Sequence, residues 1–138
     1  MVEINSATQL IEGRYGTADP FIIAEKLNVE VDWVQLGLSP LGKTMYDGHA
    51  PIVILNDRIK NSPLRYFTMA HELGHVILQE GLVGYYTLAR NGHSSLEVQA
   101  NKFAVSLLSR LYIEEHSHIP HTYMDLVHAY GLPLDMIY

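Results

Sequence analysis

The sequence contains no cysteine. This excludes disulfides, thiolate catalysis and cysteine-ligated metal sites together, so any bound metal has to be held by histidine and carboxylate side chains. Lysine and arginine are scarce: nine stand against 15 aspartates and glutamates, for a formal net charge of −6. Binding a nucleic-acid backbone depends on clustered cations displacing counterions, so no direct contact with DNA or RNA is expected. No run approaches the roughly 20 apolar residues that span a bilayer. The opening MVEINSATQLIEGRYG lacks the basic-then-apolar layout of a signal peptide. A cytoplasmic protein without membrane attachment is the expectation.

What the chain does have is apolar material: 48% of its 138 residues are hydrophobic and 17% charged, the composition of a folded protein with one self-sufficient core. A single domain over residues 1–138 follows from that length. Histidine is the other abundance, with eight residues. It is the commonest metal ligand and titrates nearest neutral pH, so the placing of these residues carries information.

Asn5 and Ser6 predict the cap of a first helix reaching Arg14, and Asp19-Pro20 supplies a cap and an N1 proline for a second that ends at Asn28. Val29 to Val34 alternates apolar and acidic residues with period two, which reads as a half-buried strand with its acidic face in water. Gly37, Ser39-Pro40 and Gly42 are turn residues. A second strand at Lys43–Tyr46, the Asp47-Gly48 turn and the β-branched run Pro51–Leu55 follow, suggesting a small, mostly antiparallel sheet. Ser62-Pro63 opens a long helix through Glu80, Gly81 and Gly84 mark a loop reaching His93, and a second long helix runs from Ser95 to Tyr112. A last helix lies between Thr122 and Tyr130, stopped by Gly131 and Pro133. Helices outnumber strands and flank them, so the class is α+β.

The chemistry concentrates in His71-Glu72-Leu73-Gly74-His75. Helical residues four apart are rotated by about 40° and rise about 6 Å, so His71 and His75 project side by side and can reach one metal ion. Glu72 lies about 100° around from His71 and about 60° from His75, which puts its carboxylate beside such an ion, where a general base for water belongs. A zinc ion held by two imidazoles and one carboxylate keeps a position open, acidifies the water there and polarises a carbonyl, which is the chemistry of peptide hydrolysis.

Both histidines stand in an apolar helical stripe, not on a solvated face. A third ligand is still needed, and the HExxHxxGxxH route is closed because Leu78 and Gly81 occupy the required positions. Glu97 lies on the core-facing stripe of the second long helix with Ala100, Ala104, Leu107 and Leu108. Ser94-x-x-Glu97 is also the spacing of a capping box, so the sequence leaves ligand and cap both open. Asn101, one turn on, is either a hydrogen-bond partner for a ligand or a polar residue beneath the site. The alanines at 100 and 104 let the two helices approach closely.

RYFTMAHELGHVIL followed by EVQANKFAVSLL resembles the ImmA/IrrE family of metallopeptidases, small proteins of phages, mobile elements and bacteria. Upstream, IAEKLNVEV and PIVILND fit the layout of that family too, so the resemblance spans residues 19–110. It implies a zincin-like active-site helix and a second long ligand-bearing helix. It further implies zinc on His71, His75 and Glu97, Glu72 as base, and a nearby-encoded helix-turn-helix repressor as substrate. Where the family has methionine-proline after the leucine pair, this chain has Ser109-Arg110. No additional DNA-binding or sensor domain, such as some relatives carry, is expected.

Weaker signals complete the reading. His116, His118 and His121 have acidic neighbours and Pro120, and suggest an exposed loop over a metal site. HAYGLPLDMIY faintly resembles the latter half of a helix-turn-helix but lacks phosphate-binding cations. Tyr46, Tyr85, Tyr86 and His93 are candidate donors to a developing oxyanion, and Arg65 pairs with a carboxylate or stays solvated. Two function classes compete: a zinc endopeptidase, and a zinc-stabilised anti-repressor that captures its partner without hydrolysis. Both keep His71, His75 and Glu97. Only the peptidase needs Glu72, whose presence favours the enzyme.

Overall fold

The computed structural model describes residues 4–79 and 92–134, with the side chains of the second long helix described from residue 95 onward. Helix α1 (Ile4–Tyr15) begins a residue before the Asn5-Ser6 pair, so these residues lie in its first turn and do not cap it. Asn5 works sideways: its Oδ1 accepts from the Ser106 hydroxyl at 2.7 Å. In α2 (Pro20–Lys26) the Asp19 carboxylate caps as expected, accepting from the backbone N–H groups of Phe21 and Ile22. Burial raises the Asp19 pKa, and those two N–H groups pull in the opposite direction. Asn28 leaves the helix at a φ of 59°, a left-handed conformation that asparagine tolerates better than most residues.

Three strands follow: β1 (Glu30–Val34), β2 (Gly42–Asp47) and β3 (Ala50–Asn56). Their order is β1-β3-β2. The β2–β3 hairpin is antiparallel, with Thr44 opposite Val53, while β1 pairs with β3 in parallel, with Val31 opposite Val53 and Trp33 opposite Leu55. The small sheet is therefore mixed. β3 takes the centre because it is the most apolar strand, and Val53 and Leu55 are wholly buried. Asn56 closes the β1–β2 connection from the end of β3: its amide donates to Gly37 O at 2.8 Å and Pro40 O at 3.1 Å. On the outer face Glu30 is fully exposed, and hydrogen bonding to the neighbouring Asp32 raises its pKa.

A 3-10 turn (Asp57–Ile59) leads to α3 (Leu64–Gln79), whose first N–H groups are met by the Ser62 hydroxyl, 3.1 Å from Leu64 N. Helix α4 (Gly92–His116) starts before Ser95 and continues past Tyr112. Tertiary contacts hold its added last turn in place. Glu114 accepts from the Thr17 hydroxyl and from Ala18 N, each at 2.8 Å, and Glu115 accepts from the Tyr130 hydroxyl. Burial and then Glu115 push the Tyr130 phenol far above its usual pKa. The core lies between the sheet, α3 and α4, with Met69, Leu73, Phe103 and Leu107 fully buried. Among the described residues no helix is long and apolar enough to cross a membrane.

Helix α5 (Tyr123–Tyr130) stops at Gly131, which has a φ of 72° and whose added Cβ would sit 2.4 Å from Leu64 Cα. Two penalties fall on one position, a left-handed backbone and a collision with the start of α3. Gly131→Ala is expected to lower unfolding free energy by about 2–3 kcal/mol in urea titration. A loss under about 0.5 kcal/mol would show that this junction yields easily.

Candidate metal centre

Helices α3 and α4 run antiparallel, and small residues set their spacing. A Cβ on Gly74 would lie 3.1 Å from the Phe103 ring and 3.3 Å from Ala100 Cα, so the glycine of HELGH sits where α4 approaches closely. This approach compensates the cost of a glycine in mid-helix, roughly 1 kcal/mol relative to alanine. It also brings the His71 and His75 side of α3 against the Glu97 and Asn101 side of α4.

The resulting geometry is compact. Glu97 Oε2 lies 3.2 Å from His71 Nε2, and Oε1 lies 3.2 Å from His75 Nε2. The two Nε2 atoms are themselves 3.2 Å apart. Zinc bonds of about 2.0–2.1 Å in a tetrahedron separate the ligand atoms by about 3.3–3.4 Å, so the two nitrogens and the carboxylate group form a triangle of groups on the scale of one tetrahedral face. Among the described residues this is the cluster of histidines and carboxylates close enough to share an ion. The donor set, two neutral nitrogens and one carboxylate, suits a borderline cation such as zinc. The histidine side chains are 16% and 19% exposed and Glu97 is 41% exposed, so the triangle opens on the carboxylate side.

The outer nitrogens are also engaged. His71 Nδ1 lies 2.8 Å from Asn101 Oδ1, and His75 Nδ1 lies against Gln79 Oε1; an amide oxygen can only accept, so each pairing calls for the proton on Nδ1. Both rings therefore turn an Nε2 lone pair toward the centre. Glu72 is buried and receives a 2.8 Å hydrogen bond on Oε1 from the Thr44 hydroxyl of β2. β2 comes this close because Gly42 has no side chain: a Cβ there would stand 2.7 Å from Thr68 Cγ2 and 3.5 Å from Glu72 Cγ.

The structure thus brings His71, His75 and Glu97 together with Glu72 on the same helix turn. Glu97 turns its carboxylate to the imidazoles, while the Ser94 side chain of the capping-box alternative lies outside the described residues. Tyr46 falls on the Thr44 face of β2 by strand alternation, and Tyr85, Tyr86 and the His93 side chain are outside the described residues. Arg65 donates to Ser62 O at 2.8 Å and lies over the Tyr66 ring, serving the start of α3. His116 and His118 are exposed and direct their Nδ1 atoms at backbone carbonyls. Sequence reasoning missed Gln79 and Thr44. Gln79 was signalled by its place eight residues after His71 and four after His75, on the same helical stripe.

An α+β fold that mounts HExxH on one helix and a carboxylate on its antiparallel neighbour has the build of a zincin-like metallopeptidase. The chain belongs to the peptidase M78 family, described as the IrrE N-terminal-like domain, which it matches over residues 24–137. It is also similar to a protein of Bacillus phage phi105, called uncharacterized immunity region protein 2. The two are 28% identical over 136 residues, which cover 96% of this chain and 85% of that protein.

Proposed function

We propose that this chain is a cytoplasmic zinc endopeptidase, a single domain over residues 1–138, that cuts a helix-turn-helix repressor of a phage or mobile element. The observation that carries the reading is the cluster of His71 Nε2, His75 Nε2 and the Glu97 carboxylate, in which the nitrogens are 3.2 Å apart and each lies 3.2 Å from a different carboxylate oxygen, with Glu72 adjoining it. His71, His75 and Glu97 are the zinc ligands. Zinc supplies, when bound, Lewis acidity toward the scissile carbonyl and toward water. Glu72 takes the proton of the attacking water and delivers it to the leaving amine, so no free amide anion has to form. Thr44 holds that carboxylate through Oε1 and fixes its rotamer. Asn101 and Gln79 hold the two rings in the tautomer that binds through Nε2.

The repressor substrate is supported by the family resemblance and by the immunity-region name of the phage relative. With a net charge of −6 the chain meets that substrate as a protein and makes no contact of its own with DNA or membrane. The test is to load the purified chain with zinc, incubate it with the repressor encoded beside it, and look for fragments by mass spectrometry. Cleavage that stops on chelation supports the peptidase. A tight complex with an intact repressor replaces it with the zinc-stabilised interaction module.

A further inference from the structure

The last residue of α3 connects the two halves of the candidate site. Gln79 is 1% exposed, yet its side chain is polar at both ends. Its amide nitrogen donates to the Leu96 carbonyl at 2.6 Å, and its oxygen accepts from His75 Nδ1–H. A carbonyl can only accept, so the bond to Leu96 fixes which end of the amide is which. The oxygen then has to face His75, and an oxygen acceptor there requires the proton on Nδ1. Leu96 directly precedes Glu97, so the same amide anchors the α4 backbone at the position of the third ligand.

From this arrangement we infer that Gln79 is a positioning residue that sets the tautomer of His75 and the placing of Glu97 before any metal arrives. It acts through two neighbours and touches neither metal nor substrate. Neither end of the amide is replaceable by a simpler group. A carboxylate would bring a second acceptor against the Leu96 carbonyl, and an apolar side chain would leave Nδ1–H and that carbonyl without partners. His71 is tied to α4 directly, through Asn101 of that helix, whereas His75 reaches α4 on its Nδ1 side through the Gln79 amide.

The effect on affinity rests on the zinc reading given above, whereas the tautomer does not. Nitrogen-15 correlation spectra of the zinc-free protein at about pH 8.5, roughly two units above the ordinary histidine value, report which ring nitrogen carries the proton. The intact chain is expected to show His75 as the Nδ1–H form. Gln79→Met is expected to shift it toward the Nε2–H form that free imidazole side chains favour. The same variant should weaken zinc binding by about tenfold to a hundredfold in competition with a chelator. Gln79→Glu, which keeps an oxygen acceptor, should keep the tautomer. A proton on Nε2 in the intact chain overturns the proposal, as does a Gln79→Met protein that keeps both tautomer and affinity. The first of these needs no variant to fold. Zinc that fails to bind an intact chain whose His75 is in the Nδ1–H form counts against the zinc reading and supports the role of Gln79.

Discussion

Glu72→Gln is expected to bind zinc as the intact chain does and to cleave at less than about a thousandth of its rate. A positioned general base contributes on the order of 10²–10⁴ in rate, and a thousandfold loss corresponds to about 4 kcal/mol of transition-state stabilisation. Glutamine suits the test because its oxygen still accepts from the Thr44 hydroxyl and its volume refills the buried space between β2 and α3. What it lacks is the capacity to take a proton. Bound zinc measured by elemental analysis, together with single-turnover cleavage, separates the roles. Equal zinc and equal cleavage would remove Glu72 as the base. Equal zinc without cleavage by either protein would favour the capturing module.

Removing zinc is expected to lower the thermal midpoint by about 10–20 °C. A ligand present at about a thousand times its dissociation constant stabilises by roughly 4 kcal/mol, and a domain near this size shifts by roughly 3–5 °C for each kcal/mol. The proposed ligands belong to two helices, so an ion bound there would tie α3 to α4 and its energy would appear as folding energy. Scanning calorimetry with and without a chelator reads the shift. Glu97→Ala should unfold near the chelated midpoint and ignore added zinc. A midpoint that zinc leaves unchanged in the intact chain would discard the three-ligand assignment.

Helices α2 and α3 were legible from sequence because the capping pairs Asp19-Pro20 and Ser62-Pro63, and the apolar stripe of α3, are local properties. HELGH is legible for the same reason, since its spacing alone brings two imidazoles to one side of a helix. Pairing order is not local. The β-branched run of β3 announced a strand, but that it would lie between β1 and β2, parallel to one and antiparallel to the other, depends on which strand most needs burial on both sides. Thr44 escaped notice because its partner Glu72 is 28 residues away and the contact depends on the missing side chain of Gly42. The full length of α4 escaped because Glu114 and Glu115 read as a solvated end until Thr17, Ala18 and Tyr130 are placed beside them. Glu97 stood between cap and ligand in the sequence, and the direction of its carboxylate, toward the imidazoles, depends on neighbours 22 and 26 residues away.

The way α1 is fastened has a consequence for synthesis on the ribosome. Among the described residues its side-chain hydrogen bonds to other elements run to α4: Thr8 to Ser106, Glu12 to Arg110, and, just beyond its end, Thr17 and Ala18 to Glu114. The α4 partners of this helix therefore leave the exit tunnel late, since Ser106 and Arg110 each follow their α1 partners by 98 residues. Closing so long a loop is the slow, entropically costly part of assembling a chain. Meanwhile the hairpin and α3, whose contacts are short-range, can form first. Glu97, near the start of α4, can thus come opposite the two imidazoles before the later turns of that helix reach α1.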